Sequence, residues 1–321
     1  MGYTPPFTVS SRSLTLVAEI AESISSLNVG LKMDPKLRRI NRLRSIHSSL
    51  AIEGNTLSLD DVTDIINGKR VLGNPREIME VKNAFAVYDI MEELDPFDLS
   101  SLLKAHGIMM KGIIDDAGKL RNVGVGVYSG DTLIHMAPPS DRVPVLIEDL
   151  FEWAKNSDVH PLIKSCVFHY EFEFIHPFSD GNGRTGRLWH TLILSKWKEV
   201  MSAIPIESIV RKHQQEYYHA IETSTKKADS GTFIDFMLSV ILESIESVST
   251  VERIAGIADL NSTERRILIM IAEGEFVSAS EVAMLIGMTT RTVERSVSSL
   301  RKKGYIYRHG SDKSGIWLVS L

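Results

Sequence analysis

The sequence predicts a mainly α-helical protein that carries one β-hairpin and ends in a small second domain. Apolar residues recur at three- and four-residue steps through most of the chain from Ser13 to Gly256, which is the spacing of amphipathic helices. The stretch 122–139 breaks that pattern with alternating valines and two closing prolines. A new amphipathic run starts after the helix-capping residues 261–264.

Several segments show the helical spacing clearly, and together they predict a helical bundle. In chain order they are LTLVAEIAESI (14–24), LRRINRLRSIHSSLAI (37–52), VKNAFAVYDIMEEL (81–94), LIKSCVFHYEFEFI (162–175), RLWHTLILSKWK (187–198) and FIDFMLSVILESIESV (233–248). Between the third and the fourth, the segment from Val123 to Ala137 predicts a β-hairpin that turns at Ser129-Gly130-Asp131.

The predicted domain limits follow these breaks and a shift in charge. An N-terminal helical region covers 1–99, a core covers 100–258, and a C-terminal domain covers 259–321. Residues 261–321 hold nine basic and six acidic side chains, so they carry +3, which leaves −8 for the preceding 260 residues of a chain whose net charge is −5. This asymmetry supports the second limit.

Composition is typical of a globular protein, because 43% of the 321 residues are hydrophobic and 24% are charged. No apolar run approaches the roughly 18 to 20 residues that cross a bilayer. The opening MGYTPPFTVSSRS lacks the basic-then-apolar pattern of a signal peptide. The single cysteine, Cys166, lies in an apolar run, so we expect it to be a packing residue in a cytoplasmic protein without a membrane contact.

The segment HPFSDGNGRTGR (176–187) lies between two helical patterns and predicts a loop that leads into a helix N-terminus. Gly181 and Gly183 allow a tight turn and a close approach to a ligand. The unpaired N–H groups at the start of a helix attract anions, phosphate especially. Arg184 and Arg187 are three residues apart, so they share one helix face and can hold further phosphate oxygens.

Two more side chains of this segment add chemistry to the phosphate site. Asp180 offers a hard oxygen ligand that suits Mg²⁺ bridging phosphates. His176 can accept a proton near neutral pH. The alternative, a glycine-rich helix cap with solvated arginines, requires all these groups to coincide by chance. A zinc site and a P-loop are not supported, because the chain has no H-E-x-x-H cluster and GNGRTGR lacks a G-K-[ST] ending.

The segment resembles the Fic motif, H-P-F-x-[DE]-G-N-G-R-x-x-R, and matches it at every defined position. HYEFEFIHPF (169–178), the hairpin before the two prolines, and QEYYHAI (215–221) are similar to the rest of a Fic core over about 100–243. SIHSSLAIEGNTL (45–57) resembles the N-terminal region of the family. The resemblance implies a Fic helical bundle with a β-hairpin flap.

The resemblance also implies an activity, the transfer of AMP from ATP to a hydroxyl side chain of a protein, with Mg²⁺ and with release of pyrophosphate. His176 would be the catalytic base and Asp180 the magnesium ligand. The residues that would bind the nucleotide are Gly181, Asn182, Gly183, Arg184 and Arg187. Phe178 would anchor the loop in the core. A branch of the family that phosphorylates its targets has Lys at the position of Gly181, so this glycine favours nucleotidyl transfer.

Ser49-Leu50-Ala51-Ile52-Glu53-Gly54 fits the inhibitory pattern of the family, [ST]-x-x-x-E-[GN]. Ser49 and Glu53 are four residues apart and share a helix face. A carboxylate at a helix C-terminus is disfavoured by the macrodipole by ~0.3 to 1 kcal/mol, which suggests a cationic partner. The resemblance implies that this partner is Arg187 and that the pairing inhibits catalysis within one chain. The alternative is an exposed Glu53 without a special role.

The hairpin resembles the flap of the family, which pairs with an extended target segment through main-chain hydrogen bonds. A hairpin that only covers the core is the alternative. Tyr217 and Tyr218 fit either a nucleoside contact or a core role.

The last residues, 278–321, read as helix, glycine turn, helix and hairpin, and they resemble a winged helix-turn-helix. The spacing predicts that Val293, Val297 and Leu300 face the core. It leaves Thr290, Arg291, Arg295 and Ser298 able to reach a DNA groove. From Ile286 onward the charge is +5, from seven basic and two acidic residues. Such domains bind DNA, dock on proteins or form homodimers, and the sequence leaves these roles open.

Three function classes therefore remain. The first is an autoinhibited protein adenylyltransferase that modifies another protein or itself. The second is a transcriptional regulator in which the phosphate site senses a nucleotide. The third is the removal of AMP from modified proteins, which some relatives perform with the inhibitory glutamate. His176 separates the first two, because a sensor needs phosphate binding but no base.

Overall fold

The structure, a computed structural model, describes residues 3–30, 35–129, 132–274, 276, 278–310 and 315–321. The chain divides into two compact units, Met1–Ser244 and Ile245–Leu321. The described residues are mainly helical, which confirms the predicted class. No helix within these ranges combines the length and the apolarity that a membrane crossing needs.

The helices of the first unit overlap every segment with helical spacing. In chain order they are α1 (Ser11–Gly30), α2 (Pro35–Ile52), α3 (Leu59–Ile66), α4 (Pro75–Asp89), α5 (Leu99–Met109), α6 (Val143–Asn156), α7 (Pro161–Ile175), α8 (Asn182–Trp197), α9 (Ile206–Lys212), α10 (Gln214–Lys227) and α11 (Gly231–Ala255), which continues into the second unit. Short 3₁₀ turns lie at Met91–Glu93, Ser140–Arg142 and Glu199–Ala203.

The helix predicted at 81–94 differs from the observed one at both ends. α4 starts at Pro75 because the Asn74 side chain accepts the N–H of Arg76 and proline is favourable in the first turn. Its regular hydrogen bonding ends at Asp89, and the chain continues in the 3₁₀ turn.

The core of the first unit is built on α7 and α8, which contact each other along their length. Leu162, Phe168 and Phe172 of α7 are completely buried, as are Leu188 and Trp189 of α8. A helix that is buried on nearly all sides belongs to the interior of a domain. The loop that joins these two helices is therefore anchored at both ends in the core of the unit. The Cys166 thiol is also buried, which confirms its packing role.

The predicted hairpin is present before α6. Its strands β1 (Gly126–Ser129) and β2 (Thr132–Met136) are antiparallel, with Gly126 opposite Met136 and an irregularity between Val127 and Tyr128. Gly130 and Asp131 of the predicted turn lie outside the described residues.

The second unit contains α12 (Ser262–Ala272), α13 (Ala279–Ile286), α14 (Thr290–Lys302) and the antiparallel strands β3 (Ile306–His309) and β4 (Ile316–Val319). The predicted cap is confirmed, because the Asn261 and Glu264 side chains each accept a backbone N–H of the other residue. Gly287 ends α13 at a φ of +67°, which favours glycine. Positions 311–314 of the predicted hairpin lie outside the described residues.

The two units divide within α11, because Ile254 near its end is buried with Leu260 and Ile267 of the second core. The predicted limits at 99/100 and 258/259 rest on breaks in the sequence pattern and stay predictions.

Candidate active site

His176 ends α7 in a backbone conformation that L-residues rarely adopt. Its φ of 51° and ψ of 61° are left-handed, and its N–H donates to the Phe172 carbonyl at 2.9 Å. A left-handed residue other than glycine costs energy and persists only where the surrounding structure holds it. Such residues cluster at functional sites, so this geometry makes His176 a candidate functional residue. Its side chain is 18% exposed, and Nδ1 lies 3.4 Å from the Glu173 carbonyl oxygen.

Arg121 holds the backbone around His176 in place. Its Nε donates to the His176 carbonyl at 2.7 Å, and its Nη1 and Nη2 donate to the carbonyls of Val123 at 2.8 Å and Pro138 at 2.6 Å. The buried guanidinium thus ties the motif loop to both ends of the hairpin. A guanidinium has five N–H donors in a fixed plane, so an arginine can bind several carbonyl oxygens at once.

Phe178 and Asn182 brace the inside of the loop. Phe178 is completely buried and stacks on His106 with ring centres 3.6 Å apart, which confirms the predicted anchor. The Asn182 side chain bonds both backbone groups of Phe178 at 2.9 Å. This amide therefore serves the loop, and the Asn182 group left for a phosphate is its backbone N–H.

Gly181 gives the loop its last turn and is the N-cap of α8. Its φ of +84° is left-handed, and a Cβ there would lie 2.6 Å from the Met110 sulfur. A lysine at this position, as in phosphorylating relatives, would therefore be strained and crowded. The first N–H groups of α8 point out of the helix start, where they favour a negative charge.

Asp180 and Arg184 form an ion-pair network with α4. The Arg184 Nη2 donates to Asp180 Oδ1 at 2.9 Å, and its Nη1 donates to Glu80 Oε1 at 3.2 Å. Arg76 Nη2 donates to the other Asp180 oxygen at 3.3 Å. The first arginine of the motif is thus held between two carboxylates.

Arg187 is held by the end of α2. Its Nε donates to Ser49 Oγ at 3.1 Å, and its Nη2 donates to the Ser49 carbonyl at 2.9 Å and to Glu53 Oε1 at 2.8 Å. Burial alone lowers the pKa of Arg187, but the Glu53 carboxylate beside it raises the pKa above its ordinary value. The ion pair that the resemblance implies is therefore present.

Glu53 lies directly over the start of α8. A Cβ added to Gly183 would overlap the Glu53 carboxylate and would lie 2.9 Å from Arg187 Nη1. Glu53 follows the last residue of α2, and Gly54 closes the turn at a φ of +91°. The inhibitory pattern thus places a carboxylate where the N-terminus of α8 and Arg187 would hold an anion.

The base of the site contains buried titratable groups. Burial raises the pKa of Glu173 to about 8; Arg187 lowers this pKa and Glu53 raises it. His169 lies next to it and accepts or donates at 3.1 Å with the Tyr217 hydroxyl. Burial lowers the pKa of His169 well below its ordinary value. Tyr217 is buried in this cluster, so its position is that of a core residue, whereas Tyr218 is half-buried.

The described residues contain no group of three or more acidic, histidine or cysteine side chains that could hold a metal ion. Mg²⁺ in phosphate sites needs only one or two carboxylates, since phosphates and water supply the other ligands. The Asp180 side chain is 40% exposed beside the start of α8, so it fits that role.

The sequence prediction did not include Arg121, His106, Glu80 or Arg76. Each is separated from the motif in the sequence, from 55 residues for Arg121 to 104 for Glu80 and Arg76. Nothing in the sequence around these residues indicates that they reach the loop.

Comparisons with known proteins place this chain among Fic proteins. The profile of the Fic/DOC family matches residues 96–194. A Fic family protein of Desulfovibrio desulfuricans G20, known from its crystal structure, is 40% identical, with a TM-score of 0.76 over 99% of this chain and 98% of that chain. Fic-1 (residues 134–508) of Caenorhabditis elegans shares the fold at 22% identity, with a TM-score of 0.63 over 76% of this chain and 74% of that one.

Among curated proteins, the protein adenylyltransferase Fic of Culex quinquefasciatus is 28% identical over 227 residues, or 67% of this chain and 42% of that protein. The protein adenylyltransferase fic-1 of Caenorhabditis elegans is also 28% identical, over 60% of this chain and 39% of that protein. The chain thus spans less than half the length of these curated relatives. With a relative that is 40% identical over almost the whole of both chains, this protein belongs to the Fic family.

Proposed function

We propose that this chain is a protein adenylyltransferase, which moves AMP from ATP to a protein hydroxyl and is inhibited by its own Glu53. One arrangement carries the proposal: a braced loop has a strained histidine at its start and a helix N-terminus with two arginines at its end. The curated relatives named protein adenylyltransferases support the reaction class. Those relatives are longer than this chain, so activity and targets are proposed here for this chain by itself.

In the proposed reaction the acceptor oxygen attacks the α-phosphorus of ATP, and the bond between the α-phosphorus and the oxygen that leads to the β-phosphate breaks. His176 takes the proton of the hydroxyl, and pyrophosphate leaves. Because Nδ1 faces the Glu173 carbonyl, we assign the resting N–H to Nδ1. Nε2 is then the nitrogen that accepts the proton of the hydroxyl. The N–H groups of α8 stabilise the charge that develops on the phosphates, with Arg184 and Arg187 beside them. Mg²⁺ held by Asp180 would neutralise and orient the polyphosphate.

The proposed inhibition acts through the occupation of Arg187. Glu53 lies 2.8 Å from Arg187 and over Gly183. A polyphosphate tail that enters here would face the negative carboxylate, which occupies the guanidinium and the N–H groups that would otherwise bind the tail. ATP then binds in a position that does not favour attack at the α-phosphorus. Because α2 belongs to the same chain, no separate inhibitor is required.

ATP labelled at either end tests the reaction class. With Mg²⁺, we expect label from α-labelled ATP to become attached to protein, and we expect none from γ-labelled ATP. Transfer of the γ-label alone would show phosphorylation. ATP binding without transfer of either label, in the Glu53→Gly protein as well as in the wild type, would show the nucleotide sensor that the sequence leaves open. With the chain as the sole protein, self-modification that rises with the square of its concentration would show that one copy modifies another.

We also propose that the second unit is a winged helix that binds duplex DNA through α14. Val293, Val297 and Leu300 are buried on one side of this helix, as predicted. The other side exposes Thr290, Arg291, Arg295 and Ser298. A helix with one buried face and an outward row of arginines and hydroxyl groups fits a major groove.

Arg291→Ala combined with Arg295→Ala should weaken duplex binding and reduce its dependence on salt. Loss of two phosphate contacts lowers the slope of log K against log salt by about 1.8. Fluorescence anisotropy with labelled duplex at several salt concentrations measures both quantities. Arg265→Ala, which removes a guanidinium of α12 that is bonded to the Ile257 carbonyl, is the control. Failure of the wild type to retain duplex DNA at any salt concentration would favour protein docking.

A further inference from the structure

α2 turns a row of polar side chains toward the interior of the first unit. Asn41, Ser45, Ser48 and Ser49 are all buried. They follow one another at three- and four-residue steps or as neighbours, so they lie along one side of the helix, and that side ends at Glu53. Buried helix faces are usually apolar, because a buried polar group costs free energy unless it has a partner.

These side chains have partners, mainly on α9 and the turn before it. The pairs are Asn41 Nδ2 with the Ala203 carbonyl at 3.0 Å, Ser45 Oγ with Glu207 Oε2 at 2.7 Å, and Ser48 Oγ with Ser208 Oγ at 3.1 Å. Beyond them, Gln214 Nε2 donates to the Ile52 carbonyl at 3.1 Å. Hydrogen bonds therefore help to define how this side of α2 sits on α9.

Glu207 is the centre of this arrangement. Its residue is 1% exposed, and its carboxyl accepts hydrogen bonds from Ser45 of α2 at 2.7 Å, from Tyr88 of α4 at 2.9 Å and from Thr191 of α8 at 3.3 Å. The carboxyl thus joins the helix that carries Glu53 to the helix that carries Arg187.

The spacing relates Glu207 directly to the inhibitory contact. Ser45 lies one helical turn before Ser49, and Thr191 lies one turn after Arg187. A shift of α2 along α8 by a fraction of a turn would separate Ser45 from Glu207 and leave a buried carboxyl oxygen without its donor. An apolar interface would tolerate such a shift more easily, because apolar contacts are not directional.

We propose that Glu207, acting through Ser45, is a positioning residue of the inhibitory contact: it holds α2 where Glu53 meets Arg187. The inference rests on the proposed function, since inhibition by Glu53 is its premise. When the Ser45 bond is lost, α2 leaves this position more often, Arg187 is released more often, and AMP transfer increases. The rate of the Glu53→Gly protein sets the upper limit, because removal of the carboxylate makes the position of α2 irrelevant to inhibition.

The test measures AMP transfer from α-labelled ATP by the full chain with Ser45→Ala, in two backgrounds. With Glu53 present, we expect an increase of up to about tenfold, the change that corresponds to one lost hydrogen bond to a buried acceptor, and no higher than the Glu53→Gly rate. In the Glu53→Gly background, we expect no increase. A substitution that merely destabilised the fold would instead lower transfer in both backgrounds. No rise with Glu53 present, or an equal rise in both backgrounds, would overturn the inference.

Two matched variants locate the effect. Tyr88→Phe removes a donor from the same carboxyl but on α4, so it should raise transfer less than about twofold. Ser244→Ala removes a buried hydroxyl that bonds the Val240 carbonyl of its own helix, so it should leave transfer unchanged. A larger effect for Tyr88→Phe than for Ser45→Ala would contradict a role through α2.

Amide hydrogen exchange tests the position of α2 without a measurement of AMP transfer. Amides 46–53 should exchange faster in Ser45→Ala than in Ser244→Ala, and unchanged exchange would overturn the inference. If Glu53→Gly transfers AMP no faster than wild type, the proposed inhibition fails, and the exchange measurement alone still decides whether Glu207 positions α2.

Discussion

Replacing His176 with alanine should lower AMP transfer by about 10² to 10⁴-fold, the usual contribution of a general base. The side chain is 18% exposed at the end of α7, and the loop is held by Arg121, Phe178 and Asn182. Loss of the imidazole should therefore remove the proton acceptor and leave the phosphate site in place. Transfer from α-labelled ATP gives the rate, and ATP binding by calorimetry should change little.

The left-handed backbone at position 176 calls for a second variant. His176→Asn keeps a residue type that tolerates a positive φ, so a loss of activity there reports the base rather than backbone strain. His219→Ala is a control on an exposed histidine of α10 and should retain full activity. If His176→Asn transferred AMP at the wild-type rate, His176 would not be the base.

Glu53→Gly should increase AMP transfer at least severalfold. The substitution removes the carboxylate that lies 2.8 Å from Arg187 and over Gly183, and it frees both for a polyphosphate. It also leaves the buried Arg187 without its anionic partner, so ATP should stabilise this variant against heat more than it stabilises the wild type. Labelled transfer and thermal melting with and without ATP measure the two effects.

The chain provides a matched control in its second unit. Glu273 is also a glutamate at the end of a helix, followed by Gly274 with a φ of +73°. Glu273→Gly should leave transfer unchanged, although it makes the same substitution in the same local setting. Equal rates for Glu53→Gly and wild type would contradict inhibition by Glu53. Faster loss of label from a modified target with wild type than with Glu53→Gly would show that the glutamate supports AMP removal.

Local sequence was enough to predict most of the helices and the residues of the motif. The step of three to four residues found α7 and α8, and the capping residues 261–264 found the start of α12. The apolar spacing placed the start of α4 too late, because the Asn74-Pro75 cap starts the helix before its apolar pattern begins. The six segments with helical spacing also leave out α3, α5, α6, α9 and α10. Short length explains this for α3 and α9, which have eight and seven residues, but not for α6 and α10, which have 14 each.

The sequence by itself determined the chemistry available at the site: an imidazole, a carboxylate, two glycines and two arginines follow one another from the end of α7 into the start of α8, and their order is a local property of the chain. Only the tertiary structure decided what meets them. The contacts of Arg184 with Glu80 and of Arg187 with Ser49 and Glu53 join residues that are 104, 138 and 134 positions apart. Such pairs depend on how whole helices pack, and packing is set by the shapes of buried surfaces summed over the unit. For the same reason a buried carboxyl such as Glu207, which joins three helices, has the sequence appearance of an ordinary surface glutamate.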